Sequence, residues 1–127
     1  MTGKNIMIVD DDQVLIQTTV NLRKKRYNVK IFSRGTDAVR YLFEEKQDNA
    51  LLDVRLPDCD GWFIDRHFEQ IKGHTNILLI MISAPDADSS KMFEVKPFTY
   101  IQKPFDIGRL LQVIESSVDM QERLVAI

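Results

Sequence analysis

Polar side chains that could bind a metal ion or a phosphoryl group stand at the ends of four short apolar runs. Asp10 and Asp11 follow IMIV, Asp53 follows ALL, Ser83 follows ILLIMI and Lys103 follows TYIQ. Clustered carboxylates repel one another, and a hard cation such as Mg²⁺, which prefers oxygen ligands, relieves this repulsion. A lysine and a hydroxyl beside such a cation are groups that stabilise phosphoryl oxygens. The residue types therefore indicate phosphoryl chemistry assisted by Mg²⁺.

These residues can meet only if the apolar runs are parallel strands of one sheet. Runs of strand length alternate along the chain with segments of helical period, which indicates an α/β fold with a doubly wound, five-stranded parallel sheet. The predicted strands are 6–9, 29–32, 50–52, 77–82 and 100–101, and the predicted helices are 14–22, 38–43, 62–71, 85–93 and 107–118. Right-handed winding places the carboxyl ends of all strands at one edge of the sheet, where open α/β folds bind their ligands.

Composition excludes several other classes of protein. The 127 residues suit one domain, and 44% hydrophobic with 28% charged residues are values of a soluble globular chain. A net charge of −2 offers no global attraction to nucleic acid or to an anionic membrane. No apolar run approaches the roughly 20 residues of a membrane span. The single cysteine, Cys59, and an N-terminus unlike a signal peptide lead us to expect a cytoplasmic protein.

The sequence resembles the receiver domain of two-component response regulators, the CheY-like superfamily. The motifs that carry the resemblance are IMIVDDD, LLDVRLPDCDG, LLIMISA and YIQKPF, which occur in the family's order at four predicted strand ends. The likeness implies that residues 1–127 form a single receiver domain with a core of about 5–120. It also implies a flavodoxin-like (βα)5 fold, a three-layer sandwich whose strands follow the order 2-1-3-4-5.

The resemblance assigns roles to the acidic residues of the predicted pocket. It implies that Asp53 is the phosphoacceptor. It also implies that Mg²⁺ binds to Asp11 and Asp53 directly, to Asp10 largely through water, and to the backbone carbonyl of Arg55. These roles agree with the chemistry expected from the residue types alone.

The resemblance gives the remaining motif residues roles in phosphoryl binding and switching. Lys103 and the hydroxyl of Ser83 would hold phosphoryl oxygens, and Ser83 with Tyr100 would form the conformational switch. The peptide bond between Lys103 and Pro104 is cis in the family, so we expect a cis bond here. The hydroxyl of Ser83 replaces that of the more frequent threonine, so phosphate contact should be kept.

The resemblance also implies the partners and the kind of activity. A sensor histidine kinase or a histidine phosphotransfer domain would donate the phosphoryl group. The domain would catalyse its own phosphorylation and the hydrolysis of its acyl phosphate, without being an enzyme that turns over a substrate. Three kinds of output fit such a switch: a homodimer, a separate downstream effector, and an output domain on a longer chain. No direct binding to nucleic acid or membrane is expected of this domain.

One residue departs from the family pattern at the end of the first helix. Arg26 stands where the family usually has a glycine. A non-glycine residue in the left-handed backbone region costs on the order of 1 kcal/mol. Asn28 could take the turn instead.

Two alternative functions are also compatible with the sequence. The pattern Asp10-x-Asp12-x-Val14 also fits the first motif of haloacid-dehalogenase-like phosphatases, with Asp10 as nucleophile and with Ser83 and Lys103 in later motifs. That interpretation leaves the loop after Asp53 unexplained. The second alternative is a degenerate receiver that acts as a binding module without phosphorylation, although all the functional positions are intact.

Overall fold

A computed structural model describes residues 4–10, 15–53, 77–83, 99–103 and 105–125. Five strands and three helices lie within these residues. The elements in chain order are β1 Asn5–Val9, α1 Leu15–Lys24, β2 Asn28–Phe32, α2 Gly35–Glu44, β3 Asn49–Asp53, β4 Leu78–Ser83, β5 Thr99–Gln102 and α3 Ile107–Val125. Every predicted strand is confirmed to within one residue at each end. The predicted helices over 62–71 and 85–93 lie outside the described residues.

The five strands form one parallel sheet in the order β2-β1-β3-β4-β5, as predicted. The register of the sheet determines which residues meet at its carboxyl edge. Val9 of β1 is the partner of Leu52 in β3, so Asp10 and Asp53 follow partnered residues on neighbouring strands. The predicted α/β class and strand order are therefore confirmed.

Helices cover both faces of the sheet and give the molecule three layers. One core cluster packs between the sheet and α2, and it consists of Met7, Val9, Ala38, Leu42, Ala50, Leu52, Leu79 and Met81. The second packs between the opposite face, α1 and α3, and it consists of Ile6, Ile8, Leu22, Val29, Leu51, Ile80, Ile82, Ile101, Leu110, Val113, Ile114 and Val118. Because both faces are covered, the inner strands are apolar at nearly every position.

The first helix ends in a turn that decides between the two residues that the sequence offered for it. Arg26, not Asn28, takes the left-handed conformation, with φ of 68°. The N–H of Tyr27 donates to the carbonyl of Leu22 at 3.3 Å, and the N–H of Arg26 donates to the carbonyl of Arg23 at 2.9 Å. This Schellman pattern requires a left-handed residue at the position of Arg26. Asn28 cannot take the turn because it is already the first residue of β2.

The last helix continues past Met120, as the persistence of the apolar spacing through Leu124 predicts. It runs from Ile107 to Val125 and is held at its start by Asp106, whose Oδ1 accepts the N–H of Arg109 at 2.7 Å. A carboxylate in this position satisfies a backbone donor that the first helical turn leaves unpaired. None of the three described helices is both long and apolar enough to cross a membrane.

Candidate functional site

The carboxyl edge of the sheet brings together three of the residues predicted to carry the chemistry. Asp10 directly follows β1, Asp53 is the last residue of β3, and Lys103 directly follows β5. The side chain of Asp10 is fully buried, that of Asp53 is 7% exposed, and that of Lys103 is 27% exposed. The two carboxylates thus lie beneath a partly exposed ammonium group.

Lys103 contacts both carboxylates. Its Nζ donates a hydrogen bond to Asp53 Oδ2 at 3.1 Å and lies 3.8 Å from Asp10 Oδ2. Burying a carboxylate without a compensating partner is costly, so the lysine stabilises the two acids in the folded state. One ammonium cannot balance two carboxylates, and the three side chains together keep a negative charge when all are ionised. Such a site favours a further cation.

The position of Lys103 depends on the sheet and on the helix that follows it. Asp53 ends β3 and Lys103 follows β5, so the lysine spans the intervening β4, a separation of about 10 Å between strand axes. A long side chain is needed for this contact. Asp106 caps α3 three residues after Lys103 and fixes the start of that helix. Asp106 is not among the predicted site residues, although an acid just before an apolar helical repeat is a recognised capping signal.

The two predicted switch residues lie on neighbouring strands. Ser83 is the last residue of β4, and its backbone partner is Gln102 of β5. Tyr100 is the partner of Met81, and its ring packs against the core cluster on the α2 face. The hydroxyl oxygen of Tyr100 is buried. The tyrosine is therefore turned inward in this structure.

Three predicted site residues lie outside the described part of the chain. They are Asp11, Arg55 and Pro104. Their roles, and the cis bond before Pro104, stay predictions.

The described residues fit a magnesium ion in the chemistry of their donors. The carboxylates of Asp10 and Asp53 are the hard oxygen ligands that Mg²⁺ prefers. Both acids adjoin the same lysine, which places them in one pocket. Within the described residues there is no group of three or more side chains able to hold a metal ion. The set that the family resemblance implies is completed by Asp11 and the Arg55 carbonyl.

Comparison with known proteins agrees with this arrangement. The family model for the response regulator receiver domain matches residues 6–115. A CheY-like response regulator receiver domain protein from Methanospirillum hungatei JF-1 is 26% identical, with a TM-score of 0.81. That match covers 95% of this chain and 98% of the other. Similarity extends over nearly the whole of both proteins.

Two further solved structures are similar to this chain. The receiver domain of a sensor histidine kinase from Pseudomonas aeruginosa PAO1, with magnesium coordinated in its active site cleft, is 26% identical with a TM-score of 0.77. The match covers 92% of this chain and 98% of that domain. The N-terminal domain of a three-domain response regulator/sensory box/GGDEF protein from Carboxydothermus hydrogenoformans is 25% identical with a TM-score of 0.78. That match covers 96% of this chain and 99% of that domain.

Proposed function

Because the chain belongs to the response regulator receiver domain family, whose general function is phosphorylation on an aspartate, we propose that Asp53 accepts the phosphoryl group. The observation that carries the proposal is the hydrogen bond from Lys103 Nζ to Asp53 Oδ2 at 3.1 Å. An ammonium at this position can stay beside the oxygens of a phosphoryl group attached to Asp53 and offset their charge. We take residues 1–127 as one receiver domain with its core at about 5–120.

Burial favours Asp53 over Asp10 as the nucleophile. Both side chains are buried, but that of Asp53 keeps 7% of its surface exposed, whereas that of Asp10 keeps none. Attack on phosphorus needs an oxygen that a donor can approach in line with the bond that breaks. The buried carboxylate of Asp10 is better suited to contribute negative charge to the site than to attack the phosphorus. This difference, together with the family, counts against a haloacid-dehalogenase-like phosphatase with Asp10 as its nucleophile.

The transfer itself can be written with its bonds balanced. An oxygen of the Asp53 carboxylate attacks the phosphorus of a phosphohistidine. A P–O bond forms, the P–N bond breaks, and the imidazole nitrogen keeps the electron pair of the broken bond. Lys103 remains within hydrogen-bonding distance of the transferred group. Water later hydrolyses the acyl phosphate and returns the carboxylate.

Mg²⁺ is the cofactor that we propose for this site. Asp10 and Asp53, with Asp11 and the Arg55 carbonyl, would hold it, and it would supply positive charge next to the phosphoryl oxygens. The carboxylates of Asp10 and Asp53 support this assignment because a single ammonium cannot balance them. The Ser83 hydroxyl would donate to a phosphoryl oxygen, and Ser83 with Tyr100 would couple phosphorylation to the surface around β5.

The proposed partners are those of a signalling module without substrate turnover. A sensor histidine kinase or a histidine phosphotransfer domain would donate the phosphoryl group. An effector, an output domain or a second copy of the chain would read the altered surface. The lone Cys59 fits a reducing compartment, which supports a cytoplasmic location.

The experiment that tests the proposal is incubation with a small acyl phosphate and Mg²⁺, followed by intact mass measurement. We expect the parent to gain the mass of one phosphoryl group and Asp53→Asn to gain none. Asp10→Asn should still accept the group, but more slowly. A parent that gains no mass would favour the binding module without phosphorylation. Steady release of phosphate from unrelated phosphomonoesters, lost in Asp10→Asn, would favour the phosphatase.

A further inference from the structure

The strand β2 lies at one end of the sheet, and among the described residues no strand neighbours its other side. Its backbone hydrogen bonds show which groups point to that side. Asn28 donates to the carbonyl of Lys4 at 2.9 Å, and Phe32 accepts from the residue after β1 at 3.0 Å. Successive residues of a strand direct their backbone groups to opposite sides. The N–H and C=O of Val29 and of Ile31 therefore point away from β1, toward the free edge.

The free edge of β2 has the features of a surface that pairs with another strand. Two of its residues direct their backbone N–H and C=O groups to this edge. The sequence of the strand, NVKIF, is rich in residues with high strand propensity. The side chain of Ile31 is 43% exposed, which is unusual for an isoleucine of this sheet. An exposed apolar edge of this kind is a template for strand addition by another chain.

A side chain from α1 occupies part of this edge. Arg23, in the last turn of α1, donates from Nη2 to the carbonyl oxygen of Val29 at 3.1 Å. This carbonyl is one of the outward acceptors that an incoming strand would need. Arg23 is itself exposed and Val29 is buried, so the contact is partly buried, with its arginine on the side from which another chain would approach.

We propose that Arg23 acts as a cap that prevents β2 from pairing with β2 of a second copy of this chain. A two-fold antiparallel pair centred on Lys30 would place Val29 of one copy opposite Ile31 of the other. The backbone N–H and C=O of both residues face the free edge, so each such pair could exchange two backbone hydrogen bonds. Every pair would use a Val29 carbonyl that Arg23 holds. The second copy is the natural occupant because the edge is complementary to itself.

Lys30 adds a second barrier to this pairing. In the two-fold arrangement, Lys30 of one copy lies directly opposite Lys30 of the other, on the same face of the joined sheet. Like charges directly opposite each other destabilise a strand pair. The exposed Lys30 thus opposes the same register that the Arg23 contact blocks. Arg23 from α1 and Lys30 from β2 thus both oppose pairing of the β2 edge with a second copy.

The double variant Arg23→Ala with Lys30→Thr tests the proposal in the otherwise intact chain. We expect the variant to dimerise through β2 more tightly than the parent. Its dimer dissociation constant should be lower than that of the parent by about tenfold or more, which corresponds to about 1.4 kcal/mol. Analytical ultracentrifugation over a range of concentrations measures the dimer. Hydrogen exchange of the segment 28–32 should slow on dimerisation, because the outward amides of Val29 and Ile31 become paired.

The matched control is Lys24→Ala, which removes one charge from the same helix end without altering the edge. It should behave as the parent does. Arg23→Gln keeps a donor for the Val29 carbonyl and should associate less than Arg23→Ala, which provides a second comparison if the double variant folds poorly. A double variant that stays monomeric would overturn the proposal. So would association of Lys24→Ala to the same extent, or a dimer without slower exchange over 28–32.

Discussion

Lys103 Nζ lies 3.1 Å from Asp53 Oδ2, although 50 residues separate the two in the sequence. The contact crosses β4, and it exists because the parallel strands end at a common edge. The same ammonium lies 3.8 Å from Asp10, so one cation serves two buried acids. The contacts of Lys103 with both acids lead to predictions about phosphoryl transfer and metal binding, and other residues of the fold lead to predictions about stability.

Replacing Lys103 by methionine should slow phosphorylation of the chain. The variant keeps most of the side-chain volume but removes the donor to Asp53, and loss of one such charge-stabilising group costs roughly 10²-fold in rate. The rate of mass gain with a small acyl phosphate and Mg²⁺ measures the effect. Lys24→Met, an exposed lysine in α1, is the matched control and should react as fast as the parent. Equal rates for the Lys103 variant and the parent would remove the lysine from the proposed chemistry.

Addition of Mg²⁺ should raise the melting temperature of the chain without any phosphodonor. A cation that binds only the folded state stabilises it by about 2.7 kcal/mol at a concentration of 100 times its dissociation constant. Asp10→Asn should show a smaller shift because one of the two described carboxylates is lost. Sodium chloride at equal ionic strength separates specific binding from screening. No shift of the parent at saturating Mg²⁺ would contradict the proposed metal site.

Replacing Arg26 by glycine should stabilise the fold. Arg26 has φ of 68°, and relief of a left-handed non-glycine conformation is worth about 1 kcal/mol. Denaturant unfolding of the parent and Arg26→Gly measures the gain. Arg40→Gly is the control in the interior of α2, where glycine should destabilise by roughly 0.5–1 kcal/mol. If both variants lost stability equally, the turn at Arg26 would differ from the one described.

Replacing Thr18 by valine should also stabilise the fold. Thr18 is fully buried in α1, and its hydroxyl oxygen has no hydrogen-bond partner among the residues that the structure describes. A valine of nearly the same shape removes this unpaired group, with an expected gain of about 1 kcal/mol in the free energy of unfolding. Thr18→Ser, which keeps the hydroxyl and loses a methyl group, should be less stable than the parent. A loss of stability in Thr18→Val would indicate that the hydroxyl is paired.

The sequence predicted the sheet well because its strands are buried on both faces. Runs such as IMIV and ILLIMI are apolar without interruption, and parallel strands covered by helices require this. The polar residues that end the runs then defined the site. Asp10, Asp53 and Lys103 meet as predicted because strand direction, not sequence distance, decides which residues converge.

Other features could not be predicted because they depend on local geometry. The sequence left the turn at the end of α1 open between Arg26 and Asn28, and the backbone bonds that close the helix place it at Arg26, a residue type for which this conformation is disfavoured. The contact between Arg23 and Val29 follows from the direction of one carbonyl, which the apolar pattern does not encode. The buried pair of Asn49 and Ser117, joined at 2.6 Å, likewise links β3 to α3 through side chains that no periodicity signals.

Chemical trapping of the phosphorylated residue shows whether Asp53 carries the phosphoryl group. An acyl phosphate on aspartate is reduced by borohydride to homoserine, which peptide mass mapping can locate. We predict homoserine at position 53 after treatment of the parent with a small acyl phosphate and Mg²⁺, and none in Asp53→Asn. Homoserine at position 10, or labelling that persists in Asp53→Asn, would show that Asp53 is not the phosphoacceptor.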